Sequence, residues 1–107
     1  MTARIYEAKS FLTRGRNTLA GNRFPNSSEA LQFVNTLYDN GATKVTVPNV
    51  ANFKSEDEMY ADTVIVKLPS DTKKRRVLFE TYNKELLSEG FEAKDDRGQK
   101  EITLWWD

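Results

Sequence analysis

Apolar positions along the chain switch between two periods, and the switch marks out the elements. Ala30, Phe33, Val34 and Leu37 recur at helical spacing, flanked by Leu31 and Tyr38, and predict a helix over residues 27–39. Asn26 occupies the N-cap position with Glu29 three residues on, where a capping-box acid belongs, and Asn40-Gly41 is a stop signal. A second helix is predicted over about residues 71–89, with Leu78, Phe79, Tyr82 and Leu86 as its buried stripe. Pro69-Ser70-Asp71 supplies a breaker and two capping side chains before it. Gly90 ends it, and Phe91 is placed for the apolar contact of a Schellman motif.

Between and beyond the helices the period falls to two. Thr43–Val47 puts Val45 and Val47 on one side, and Ala61–Leu68 opposes Val64, Val66 and Leu68 to Thr63, Ile65 and Lys67. Glu101–Trp106 opposes Ile102, Leu104 and Trp106 to Thr103 and Trp105. Ala3–Leu12 reads as a first strand, with Tyr6, Ala8 and Leu12 inward and Ile5, Glu7, Lys9 and Phe11 outward. The resulting order, βαββαβ, is that of an α/β (α+β) ferredoxin-like domain. It predicts a four-stranded antiparallel sheet in the order 4-1-3-2, with two helices on one face and the other face open. At 107 residues the chain, 1–107, reads as a single domain.

An open sheet face needs solvent-tolerant side chains or a partner. Phe11, Ile65 and Trp105 on that face would form an apolar patch, with Lys67 and Lys9 at its rim. The function this predicts is a non-catalytic binding or regulatory module acting through a protein–protein interface. Its partner is another protein or a second copy of the chain, since symmetric dimers dominate among small oligomers.

Composition narrows the alternatives. The chain has no cysteine and no histidine, so thiolate chemistry, Ser-His-Asp mechanisms and zinc sites built on Cys or His are excluded. No cofactor is implied. A small carboxylate-dependent enzyme remains as an alternative, but Glu56-Asp57-Glu58 and Asp95-Asp96 lack EF-hand spacing, and the composition argues against an enzyme. No purely apolar run exceeds three residues and Met1–Glu7 carries no apolar signal core, which predicts no membrane span and no secretory leader. The absence of cysteine fits a reducing compartment, and the expected location is cytoplasmic.

Sixteen basic residues balance sixteen acidic ones, yet residues 1–28 hold five cations against one acid. Two basic segments raise the alternative of a nucleic-acid or phosphate-ligand binder. One is the long connection 13–25 with Arg14, Arg16 and Arg23; the other is Lys73-Lys74-Arg75-Arg76 at a helix start. In the predicted topology these segments lie at opposite ends of the sheet, and the first shares its end with Glu56–Glu58, Glu92, Asp95 and Asp96. The third strand has no aromatic of the RNA-recognition type, and residues 13–25 lack a P-loop ending. Nucleic acid is therefore not the favoured partner.

Overall fold

Asn26 opens the first long helix as its side chain predicts: in extended conformation, it accepts a hydrogen bond from the Glu29 N–H at 2.9 Å. The computed structural model describes residues 5–48, 50 and 58–106. Its elements in chain order are β1 (Tyr6–Glu7), α1 (Ala8–Leu12), β2 (Thr18–Leu19), α2 (Ser27–Asp39), β3 (Lys44–Val47), β4 (Tyr60–Ala61), β5 (Thr63–Lys67), α3 (Thr72–Ser88) and β6 (Glu101–Trp105). Asp71 caps α3 by accepting from the Lys74 N–H at 2.9 Å.

Both long helices end in the same way. Gly41 and Gly90 take positive φ, +109° and +85°, which a residue with Cβ adopts only under strain. At α2 the Gly41 and Ala42 N–H groups reach back to the Tyr38 and Leu37 carbonyls; at α3 those of Gly90 and Phe91 reach Leu87 and Leu86. At Gly41 there is a second reason for glycine, because an added Cβ would lie 2.7 Å from Cδ of Lys74. Lys74 thus lays its stem across the end of α2.

β1, β3, β5 and β6 form a four-stranded sheet in that order, with every neighbouring pair antiparallel. Val45, Val66 and Ile102 align across three strands, as do Val64 and Leu104 across two. These residues join Ala30, Val34 and Leu37 of α2 and Leu78, Phe79, Tyr82 and Leu86 of α3 in one buried apolar cluster. The architecture is therefore mixed α/β with a four-stranded antiparallel sheet and three helices.

The ferredoxin-like strand order 4-1-3-2 is corrected. The first strand lies at the sheet edge beside β3, not between β5 and β6. It is also short: of the predicted span Ala3–Leu12, only Tyr6 and Glu7 pair with β3, while Ala3 and Arg4 lie outside the described residues. The Glu7 carboxylate accepts from the Ser10 and Lys9 N–H groups at 2.8 and 3.1 Å and so starts α1. In a helix Ala8, Phe11 and Leu12 share a face, and all three are buried. Helical spacing overrides the alternation, and Phe11, placed outward by the strand reading, turns into the core.

Tyr38 completes the edge that β1 leaves short. Its hydroxyl accepts the Val45 N–H at 2.9 Å and donates to Glu7 Oε2 at 2.7 Å. Burial raises the Glu7 carboxyl, but the hydrogen bonds from Tyr38, Ser10 and Lys9 outweigh it and hold the group below its usual range. Tyr38→Phe is expected to lower stability by about 1–2 kcal/mol, measured by urea unfolding, because Val45 N–H and Glu7 lose a shared partner.

The connection 13–25 is built into the body. β2 pairs in parallel with β4, closed by Thr18 N–H to Met59 O at 2.9 Å and Ala20 N–H to Ala61 O at 2.8 Å. Asn17 holds three segments together at this point. Its Nδ2 donates to Phe11 O at 2.9 Å, its Oδ1 accepts from Met59 N–H at 2.7 Å, and its backbone carbonyl accepts from Ser27 Oγ at 2.6 Å. The side chain is 0 % exposed.

Candidate functional site

Strand alternation and sheet order together give β6 an outer face and, among the described residues, an edge with no neighbouring strand. Glu101, Thr103 and Trp105 stand opposite Lys67, Ile65 and Thr63 on the outer face. Lys67 forms an ion pair with Glu101 across the strands, both side chains being exposed. Trp105 is 45 % exposed, while Ile65 and Thr63 are half-buried and Thr46 is buried. The outer face is therefore less bare than the sequence predicts; its exposed large apolar side chains among the described residues are Trp105 on β6 and Ile5 beside β1 at the opposite edge.

The partner of Trp105 is Phe91. Their ring centroids lie 6.0 Å apart and Phe91 is 43 % exposed. Phe91 comes just after the glycine that ends α3, so the Schellman geometry that closes the helix also places this ring. Beside the pair lies a depression of about 390 Å³ lined by Thr103 and Trp105 of β6, Phe91–Lys94 of the following loop, and Tyr82 and Leu86 of α3. It straddles the edge of β6, with the strand as one wall, the loop as the other and α3 as floor.

Both walls are tied to α3. Asn83 holds the loop through a pair of hydrogen bonds, donating to Lys94 O at 3.0 Å and accepting from Lys94 N–H at 2.8 Å. Arg75 holds it again further on, with its guanidinium bonded to both Asp96 oxygens, at 2.9 and 2.6 Å, and to the carbonyls of Gln99 and Pro69. The Arg75 guanidinium keeps Asp96 below its ordinary range.

The strand wall is fixed from beneath. Trp106, 2 % exposed, donates its indole N–H to Glu85 Oε1 at 2.9 Å. Arg23 grips the same carboxylate, with Nε to Oε1 at 2.8 Å and Nη2 to Oε2 at 3.2 Å. The guanidinium lies 4.6 Å from the Phe24 ring and 5.5 Å from Phe33, and Trp106 meets both rings edge-on. Burial raises the Glu85 carboxyl, but the bonds from Arg23 and Trp106 and the charges of Arg23 and Lys84 hold it below its usual range.

Comparison with protein-family models, with curated proteins and with solved structures finds no match. The reading of the site therefore rests on its own chemistry.

The residues of the anion-binding alternative do not converge. Arg23 is engaged by Glu85, Arg75 by Asp96, and Arg16 forms an ion pair with Glu58. Lys74 lies against Gly41, Lys73 and Arg14 are exposed, and Arg76 lines a separate shallow depression with Thr72, Phe79, Glu80, Asn83 and Asp96. Asp96, expected at the far end of the sheet from Arg75, reaches it because the loop after α3 folds back along the helix. Of the acids considered for a hard cation, Glu56 and Asp57 lie outside the described residues, and among the described residues no three Asp or Glu side chains gather as a metal would need. No helix among them is long and apolar enough to cross a membrane.

Of the interface candidates, Trp105 and Lys67 stand on the outer face, Ile65 lies beside them half-buried, and Phe11 is removed to the core at 1 % exposure. Sequence reasoning missed Phe91 as a surface aromatic and Glu85 as a buried acid. Glu85 did carry a signal: it sits three residues after Tyr82 and one before Leu86, on the buried stripe of α3.

Proposed function

We propose that this chain is a non-catalytic protein-binding module whose contact surface is the β6 side of the sheet. The observation that carries this reading is the aromatic pair Phe91–Trp105, both rings more than two-fifths exposed, set beside a concavity whose two walls are anchored to the same helix. Large aromatics at the rim of a preformed depression are the side chains that dominate binding energy in protein interfaces. Lys67 and Glu101 provide a polar border. The partner is a protein, and self-association is one form the reading takes.

Trp105→Lys is the direct test, because the ring lies outside the core and its loss leaves stability within about 0.5–1 kcal/mol. The expected result is that a protein cross-linked to or co-purified with the wild-type chain is lost from the variant, or that a dimeric mass by light scattering falls to that of one copy. Binding and mass unchanged in Trp105→Lys would overturn the reading. The arginine pairings disfavour nucleic acid as the partner, since a polyanion site needs a contiguous set of uncommitted cations.

A further inference from the structure

The two edges of the sheet are treated differently. On one side the terminal strand is two residues long, gives way at once to a helix, and leaves β3 to be closed by the Tyr38 hydroxyl. On the other side β6 runs five residues in even register with β5, without proline, glycine or bulge. Exposed strand edges are usually shortened, charged, bulged or covered, so a regular edge left open beside a groove marks a place where another strand pairs.

The register fixes which backbone groups are available. Leu68 N–H donates to Lys100 O at 2.8 Å and Trp106 N–H to Asp62 O at 3.0 Å, so the even-numbered residues of this stretch are those bonded to β5. Glu101, Thr103 and Trp105 therefore point their N–H and C=O groups away from the sheet, and no other strand among the described residues lies there. The depression lined by Thr103, Trp105 and Phe91–Lys94 opens on that edge.

We infer that the trough between β6 and Phe91–Lys94 receives one extended segment of a partner protein, which adds to the sheet as a fifth strand. The inference rests on the protein-binding reading above and names its mode. Three features select this occupant. The outward-pointing backbone groups of Glu101, Thr103 and Trp105 form a ladder whose complement is an extended backbone. The loop wall, held to α3 through Asn83 and Arg75, gives the trough beside β6 a fixed far side along which one segment can lie. Finally, a strand in this position sends alternate side chains toward the Tyr82–Leu86 floor and toward the Phe91–Trp105 pair, both of which are apolar. Glu92 and Lys94 on the loop wall balance in charge, so the segment is selected by alternating apolar side chains and not by net charge.

The test uses the full chain and a displayed library of random octapeptides as probe, with binding of enriched peptides compared across two variants. Thr103→Pro removes the central outward N–H while leaving the ladder to β5 intact, a placement that edge strands tolerate. Trp105→Lys removes the aromatic anchor. The expected result is enrichment of peptides with alternating apolar residues, whose affinity falls at least about tenfold in both variants. Amide exchange of Thr103 in the wild-type chain, slowed on adding such a peptide, gives the same answer without depending on the folding of the proline variant. Peptides lost in Trp105→Lys but indifferent to Thr103→Pro, with Thr103 exchange unchanged, would overturn strand addition and leave the interface standing. Failure to enrich any peptide sensitive to either variant would overturn both. A doubled mass of the chain alone with Thr103 already protected would make a second copy the occupant and overturn the single-segment inference.

Discussion

At neutral pH the Asn17→Asp variant is expected to lose about 3–5 kcal/mol of stability in urea unfolding, a large share of what a domain of this size has. The side chain is fully buried and both its ends are used, Nδ2 donating to Phe11 O and Oδ1 accepting from Met59 N–H. Aspartate keeps the second bond and turns the first into an oxygen facing an oxygen, with a buried charge in place of a neutral amide. Protonation repairs this, because a carboxylic acid can donate to Phe11 O. The folded pKa of the new group is therefore raised above its unfolded value of about 3.9. A raised acid pKa means that the folded state holds the proton more tightly, so the variant's deficit is small below the unfolded pKa and grows as pH rises through the folded one. A deficit independent of pH would show that Asn17 acts only through shape. Asn17→Leu, which leaves both backbone partners unmet, should cost about 2–4 kcal/mol at every pH.

Arg23→Ala is expected to cost about 2–4 kcal/mol at pH 7, with the opposite dependence of the wild type at the same locus. Glu85 is 5 % exposed, and without Arg23 its charge keeps the Trp106 N–H and the more distant charge of Lys84. The Arg23 side chain is 39 % exposed, so water can reach the vacated position, which keeps the loss below that of a fully enclosed pair. In the wild type the Glu85 pKa is depressed, so its contribution is present above the unfolded value of about 4.3 and disappears as pH falls through the folded one. In Arg23→Ala, burial is opposed by the Trp106 bond and the Lys84 charge without the guanidinium, so the pKa rises above its wild-type position and the difference between the two proteins should be largest near neutrality and shrink in acid. Glu85→Gln in the Arg23→Ala background should recover part of the loss by removing the isolated charge while keeping an acceptor for Trp106. A cycle over both positions measures the coupling, and additive losses would mean the pair contributes nothing.

Local chemistry was legible where a single side chain decides it. Asn26 and Asp71 cap the helices, Gly41 and Gly90 end them, and alternation places Trp105 and Trp106 on opposite faces. The segment Tyr6–Leu12 was not, because a short apolar stretch fits both periods, and only the Glu7 carboxylate bonding to the N–H groups of Lys9 and Ser10 decides for a helix. Strand order depends on which distant edges meet. With β1 reduced to two residues, nothing near Tyr6 says that Val47 rather than a residue of β6 lies opposite. The same limit hid the site. Phe91 was legible as a helix-terminating contact, but its meeting with Trp105 comes from the path of residues 91–100, which Arg75 and Asn83 fix from eight or more residues away in sequence. Asn17 sits in a basic, polar stretch where no local pattern distinguishes a buried bracket from a solvated turn.

The two adjacent tryptophans make the chain its own optical instrument. One peptide bond separates an indole sealed against Phe24 and Phe33, with its N–H on a carboxylate, from one that is nearly half in water. Trp106 emission should follow unfolding and the ionisation of Glu85 while being sheltered from a soluble quencher. Trp105 emission should be quenched readily in the free protein and shift to the blue when the trough beside it fills. A Trp105→Phe chain then reports folding and the state of Glu85, and subtracting its signal from that of the parent isolates occupancy, without a label attached to either partner.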